Sequence, residues 1–201
     1  LNNPLATILS WAERLSEHAD DNAPLKRGLD VILSESERAA RIVRNLLTFA
    51  RKGTPEQAVV DLEDVAQRTT LLIQAELRLR GITLERATGE RPMVRGDRYE
   101  LQQVLLNLLT NAVHALSGLP ATTDRRILVA TGREGDRAFV RVTDNGPGIS
   151  AALTSRIFTP FFTTKDPGQG TGLGLSISYG IVESHGGRLS FTPADGGGAT
   201  F

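Results

Sequence analysis

Three short stretches carry residue types that chemistry could use. The first is a polar stripe in an otherwise apolar helical pattern, made by Glu100, Gln103, Asn107, Asn111 and His114. At about 100° per residue these five fall within about 80° of one another on a helix. The remaining positions, from Leu101 and Val104 to Val113 and Leu116, form a wide apolar face. An ordinary solvated face would also present a polar stripe, although such faces are richer in charge than this one. Asparagine carbonyl oxygens can ligate a hard cation such as Mg²⁺, which takes few protein ligands and keeps its waters.

The second stretch is Asp144-Asn145-Gly146-Pro147-Gly148. An aspartate at a strand end, followed by glycines that keep the backbone thin, can accept a hydrogen bond from a flat ligand such as a nucleobase. The same five residues are also ordinary turn chemistry. The third is Gly168-Gln169-Gly170-Thr171-Gly172-Leu173-Gly174-Leu175, which opens a helical pattern. Glycines let main-chain N–H groups approach a polyphosphate, and a helix start adds a favourable dipole. No Gly-Lys-Ser/Thr follows, so this is not a Walker loop. No convincing strand precedes it, so the dinucleotide fingerprint lacks its context. Residues 157–165 lie between the second and third stretches and hold three of the seven phenylalanines, the pattern of an anchored flap over a pocket.

The elements that must position these residues read as α+β. Residues 1–52 form a helical hairpin. Leu5, Ile8, Ala12, Leu15 and Ala19 mark its first helix, and Pro24 suits the first turn of its second. Leu25, Leu29, Ile32, Ser36, Ala39, Val43, Leu46 and Ala50 then make a heptad seam with one polar position. Such a hairpin buries its apolar face either by pairing into a four-helix bundle or by packing against its own chain. Residues 53–57 are a linker. Asp61 caps a helix to about residue 79, residues 82–85 and 92–94 are strand pieces, and a strong helix covers residues 97–116. Residues 127–131 and 138–142 make a hairpin, a short helical piece lies near 151–158, and a helix spans 173–184. A final strand covers 188–192. The result is helices on one face of a mostly antiparallel sheet.

Composition narrows the classes. The 201 residues include 23 basic and 23 acidic side chains, so a nucleic-acid binder relying on bulk charge is disfavoured. With no cysteine, disulfides, thiolate metal sites and cysteine nucleophiles are excluded. No apolar run approaches the ~20 residues of a membrane span, so any membrane segment is expected outside this chain. The opening residues read as the inside of a helix, which suggests a fragment.

Together the stretches resemble one family. Asn107-xxx-Asn111, Asp144-x-Gly146-x-Gly148, Phe158-x-Pro160-Phe161-Phe162 and Gly170-x-Gly172-x-Gly174 stand in the order and spacing of the N, G1, F and G2 boxes of bacterial two-component sensor histidine kinases. Leu1-Asn2-Asn3-Pro4-Leu5 is similar to the end of that family's H box, His-Glu-Leu-x-Asn-Pro-Leu. The resemblance covers essentially the whole chain. The Phe-Phe-Thr-Thr-Lys run and short lid resemble the nitrogen-regulator-like subgroup.

The resemblance implies a dimerisation and histidine-phosphotransfer hairpin over 1–52, half of a dimeric four-helix bundle. It implies a catalytic ATP-binding domain of the Bergerat fold, an α/β sandwich, over 58–201. Asp144 would bind the adenine amino group, with Gly146 and Gly148 shaping the base pocket. Asn111 would hold Mg²⁺, and Asn107 would line the phosphate pocket. Gly170, Thr171, Gly172, Leu173 and Gly174 would stand near the phosphates at the end of the lid. Lys165 would either reach a phosphate or be solvated, and His114 would either touch phosphate or be structural. His185 is expected at a helix end, and His18 in solvent near the hairpin turn. Asn3 would orient water when the partner receiver is dephosphorylated.

One departure matters: the phosphoacceptor histidine and its acidic neighbour would immediately precede Leu1, and no histidine present replaces it by motif. The implied reaction is phosphoryl transfer from ATP to an imidazole nitrogen, then to an aspartate of a response-regulator receiver domain. The implied setting is cytoplasmic and homodimeric, with no nucleic-acid partner. Two rivals stand beside this reading: an ATP hydrolase of the gyrase and chaperone superfamily, and a non-catalytic ATP-binding dimerisation module. The hydrolases carry a glutamate one helical turn before the Mg²⁺-binding asparagine, where this chain has Asn107.

Overall fold

The computed structural model describes residues 2–17, 22, 24–33, 36, 39, 57–89, 91–120, 122–165 and 170–201. The chain divides into two compact units, Leu1–Gly53 and Thr54–Phe201.

The first unit contains helix α1 (Asn2–Glu17) and helix α2 (residues 24–33). Asn22 starts α2, its Oδ1 accepting from the Leu25 N–H at 3.1 Å. Ala12 and Leu29 bury one another, with Leu33 packed alongside. Ile8, Trp11, Leu15, Leu25 and Ile32 remain exposed, which two helices alone cannot prevent. Ser36, the polar seam position, is buried. Seam positions 43, 46 and 50, and His18, lie outside the described residues.

In the second unit, β1 (Ala58–Asp61) pairs antiparallel with β3 (Met93–Gly96). Asp61 caps α3 (Leu62–Leu79), accepting from the Glu63 N–H at 2.9 Å. Asp97 caps α4 (Arg98–Ser117) in the same way, taking the Tyr99 N–H at 2.8 Å. Each carboxylate satisfies an N–H that the helix cannot and sits at the positive end of its dipole. A five-stranded sheet has the order β2-β4-β5-β7-β6, built from β2 (Thr83–Thr88), β4 (Arg126–Glu134), β5 (Arg137–Asp144), β7 (Ala199–Thr200) and β6 (Thr192–Pro193). The β2–β4 pair is parallel and the other pairs are antiparallel.

β4 and β5 meet through the two-residue turn Gly135-Asp136, and Gly135 supplies the required positive φ of 64°. Ile127 and Val129 alternate inward along β4 beneath Leu109 and Leu116 of α4. Ile73 and Leu77 of α3 join this core, as do Ile177 and Ile181 of α5 (Gly174–Ser184).

Two expectations need correction. Residues 151–158 form successive turns and no helix, closed by Leu153 N–H to Ser150, Arg156 N–H to Leu153 and Thr159 N–H to Arg156. Pro160 lacks an N–H and turns the residue before it away from helical backbone, and the N–H groups of this segment bond three residues back rather than four. The strand expected at 188–192 is reduced to β6, because Pro193 has no N–H and its partner β7 is two residues long. Among the described residues no helix is long and apolar enough to cross a membrane.

Leu109 has no exposed surface. We expect Leu109→Ala to lower the unfolding free energy of the second unit by about 2–5 kcal/mol in denaturant titrations.

Candidate functional site

The candidate site forms where three elements end or begin: the C-terminus of β5, the middle of α4 and the N-terminus of α5. Asp144 is the last residue of β5 and pairs with Ile127 on one side and Ala199 on the other. It is buried, with 6% of its surface exposed. Its Oδ1 accepts from the Gly146 N–H at 2.9 Å. Burial pushes its carboxyl above the usual aspartate value, against the opposing pull of the Gly146 and Ala199 N–H groups.

Asn145 fixes the strand exit. Its Oδ1 accepts from the Arg126 N–H at 2.7 Å and its Nδ2 donates to the Asp124 carbonyl at 2.7 Å. This clamp was not legible in the sequence, since its partners lie about twenty residues away.

The Asp144 loop lies directly on α4. A Cβ at Gly146 would stand 2.8 Å from Asp144 Oδ1 and 3.3 Å from the Ala115 side chain, so a side chain there would crowd the carboxylate against α4. Gly148 lies against the Gly198 carbonyl. Eight residues back along α4, Asn107 meets α5. Its Nδ2 donates to the Gly174 carbonyl and to Ser178 Oγ, both at 3.2 Å. Ser178 is fully buried and donates to the same carbonyl at 2.9 Å. A small polar residue on the inner face of α5 was the available signal for Ser178, and pattern reading treats it as core. Asn107, Asn111 and Ala115 share one face at four-residue spacing, spanning about 12 Å. Half-buried Asn111 is therefore midway between the Gly174 end and the Asp144 end.

The start of α5 has no side-chain cap, and Leu173, its N-cap, donates its own N–H to Thr171 Oγ1 at 3.4 Å. N–H groups of the first turn are thus left for another acceptor. Gly172, at φ 65°, presses on the backbone of Phe161 so closely that any Cβ would overlap it. Phe161 itself has a φ of 65°, a left-handed conformation rare for a bulky residue, and its ring is exposed. Phe158 anchors the same segment on Tyr179 of α5, ring centroids 5.3 Å apart, and Arg156 covers Phe162. Phe158 is thus packed on α5, whereas Phe161 is exposed.

Gly170 lies against Thr163 and Lys165, which brings Lys165 to the loop before α5. The lid residues 166–169 lie outside the described residues. His114 is exposed on the last turns of α4. Asn3 stands in the first turn of α1, in the other unit.

A buried acceptor at a strand end and an uncapped helix start thus stand at the two ends of one amide-bearing helix face in an α+β domain. Residues 96–201 match the model of the "Histidine kinase-, DNA gyrase B-, and HSP90-like ATPase" family, and residues 1–55 match the "His Kinase A (phospho-acceptor) domain". The C4-dicarboxylate transport sensor protein DctS of Rhodobacter capsulatus is 36% identical over 208 residues, covering 100% of this chain and 31% of its own length.

Full-length ShkA, solved in complex with AMPPNP, aligns over 100% of this chain and 42% of its own, with a TM-score of 0.78 and 27% identity. Histidine kinase ThkA, solved in complex with the response regulator protein TrrA, aligns over 99% of this chain and 56% of its own, with a TM-score of 0.73 and 28% identity. The chain belongs to the bacterial two-component sensor histidine kinases and comprises a phospho-acceptor-type hairpin followed by the ATPase-like catalytic domain. It spans about a third of the length of DctS.

Asp144→Asn tests the site against the fold. A raised carboxyl value means that the protonated form is favoured in the folded chain. The stability contributed is then present below the ordinary aspartate value and is lost as pH rises through the folded value. At neutral pH the ionised carboxylate is held at a cost that the amide avoids. We expect Asp144→Asn to unfold at a temperature no lower than the unsubstituted chain at pH 7, with adenine-nucleotide binding weakened by about 1–3 kcal/mol in calorimetry. A large loss of thermal stability with unchanged binding would make Asp144 a folding residue.

Proposed function

We propose that Thr54–Phe201 binds ATP with Mg²⁺ and, in the parent protein, phosphorylates a histidine of the preceding hairpin. The observation that carries this reading is the alignment of Asp144 and Gly174 at the two ends of the Asn107–Asn111–Ala115 face. Asp144 would accept from the adenine amino group, at a depth where a mismatched donor is costly. The donor set also fits the metal: Asn111 offers a neutral carbonyl oxygen, suited to an ion held mainly by phosphates and water. Mg²⁺ there would neutralise charge developing on the transferred group. The uncapped first turn of α5 and the Gly170–Gly174 loop would receive the phosphates. Lys165, beside Gly170, would add positive charge to it, and His114 lies on the same helix as Asn111.

For this chemistry the protein's task is positioning and charge neutralisation. The hydrolase reading is not favoured. A hydrolase needs a base where Asn107 stands, and that amide has no proton affinity of use and already donates to Gly174 and Ser178. The hairpin's likeness to a phospho-acceptor domain supports the kinase over a non-catalytic module. The named complex of ThkA with TrrA supports a receiver domain as the second acceptor. Asn3, in the first turn of α1, would orient water during dephosphorylation of that partner.

The exposed row Ile8, Trp11, Leu15, Leu25 and Ile32 supports a homodimer through the hairpin, whose four helices would cover it. Light scattering at tens of micromolar should report a dimer, and Ile32→Asp, which changes the exposed row and spares the Ala12–Leu29 contact, should give a monomer, since a charge buried between helices is costly by several kcal/mol. A monomeric parent chain would refute this.

Phosphoryl transfer is tested with γ-labelled ATP. This chain alone should take up essentially no label, because His18, His114 and His185 are outside the H-box motif. A longer chain of the same gene that supplies a His-Glu pair ahead of Leu1 should become labelled through an acid-labile, alkali-stable bond. Asn111→Ala should abolish that labelling with the hairpin still folded. Phosphate release at about 1 s⁻¹ or faster without labelling would replace the kinase by the hydrolase.

A further inference from the structure

One buried titratable side chain outside the nucleotide elements is held on both ring nitrogens. His185 directly follows α5, and 7% of its side chain is exposed. Its Nδ1 lies 2.8 Å from the Ile181 carbonyl oxygen, and its Nε2 is 2.9 Å from the Asp97 backbone nitrogen. A carbonyl oxygen only accepts and a backbone N–H only donates. The proton is therefore on Nδ1, Nε2 is the bare acceptor, and the ring is neutral in this arrangement. Gly96 makes room for it, because any Cβ there would overlap the ring edge.

This imidazole joins the end of α5 to the residue that caps α4. The Asn107 amide joins the start of α5 to the middle of α4. The two ties are ten residues apart on α4, about 15 Å. An antiparallel helix pair held at both ends can neither slide nor turn about its axis, so the Gly174 carbonyl and the loop before it keep their place opposite Asn111.

We propose that neutral His185 is a positioning residue for the phosphate end of the nucleotide site, and that protonating it releases α5 from α4. The proposal rests on the nucleotide reading above. Protonation removes the lone pair that receives the Asp97 N–H and sets two N–H groups against each other. The acceptor within reach of the new Nε2–H is Glu100 Oε2, 3.9 Å away on α4. That oxygen is buried and has no hydrogen-bond partner among the described residues. The other neighbours do not compete for the proton. The Asp97 carboxylate is engaged as the cap of α4, β3 presents Gly96 at the ring, and Glu183 of α5 takes the Tyr179 hydroxyl. A ring drawn to Glu100 leaves Asp97, and the far tie of α5 is lost.

The test titrates MgADP and adenosine calorimetrically into the chain, His185→Gln and His185→Ala, each at pH 8 and pH 6. A glutamine places an amide oxygen near the position of Nε2 and does not titrate. At pH 8, His185→Ala should bind MgADP about tenfold more weakly, the size of one lost hydrogen bond, with adenosine affinity unchanged. His185→Gln should stay within about threefold of the unsubstituted chain at pH 8. It should also lose less MgADP affinity than that chain on going to pH 6. Titration of the phosphate itself is common to all three chains and cancels in the comparison.

Should His185→Ala not fold, the unsubstituted chain still decides. In nuclear magnetic resonance the Asn107 side-chain amide should shift with the same midpoint as the His185 imidazole. Equal pH losses in the unsubstituted and glutamine chains, or a static Asn107 amide, overturn the proposal and leave the nucleotide reading intact. Absence of MgADP binding by the unsubstituted chain at pH 8 removes the nucleotide reading and this proposal with it.

Discussion

The side-chain amide of Asn107 is the interaction on which the rest of the site depends. Its two hydrogen bonds, to the Gly174 carbonyl and to Ser178 Oγ, hold the first turn of α5 on α4. They set the glycine loop against the helix that carries Asn111, beside the packing of Leu173 and Ile177 in the shared core. The apolar side of α4 is equally constrained, because Leu109, Val113 and Leu116 fill the core over β4 and β5. One helix therefore carries both the core's apolar roof and the amide stripe, and the stripe cannot rotate without unpacking leucines.

The candidate site's buried carboxylate stands where the fold least favours a charge. Asp144 is buried at the end of a central strand, with Gly146 and Ala199 N–H groups offsetting part of the desolvation. An exposed aspartate would be solvated by water and would discriminate poorly among ligands. A buried one is satisfied only by a donor of matching geometry. The same logic applies to Phe161, whose left-handed backbone is tolerated because Gly172 closes against it. Left-handed backbone and a buried carboxylate belong to this part of the domain, while β4 and β5 are also joined by an ordinary exposed pair, Arg141 with Glu134.

The hairpin shows the complementary case. Ala12 and Leu29 form the whole of its described internal core, and its larger apolar side chains face outward. Burial of that row requires further helices, so the stability of this unit is tied to association in a way that the second unit's is not.

Local chemistry was legible in the residues themselves. Asp61 and Asp97 reach N–H groups two or three residues away, so caps and helix starts follow from short-range geometry. The Gly135-Asp136 turn and the alternation along β4 follow likewise, and so does the family, because glycines, asparagines and an aspartate at set spacing are needed wherever backbone must approach a nucleotide. Tertiary structure alone decided which of these groups meet. Asn107 and Ser178 are separated by 71 residues, and Asp97 and His185 by 88. Such pairings depend on how α5 crosses α4, which no periodicity encodes. The same packing made a tie of His185, because a polar side chain's role is set by the partner that burial leaves within its reach.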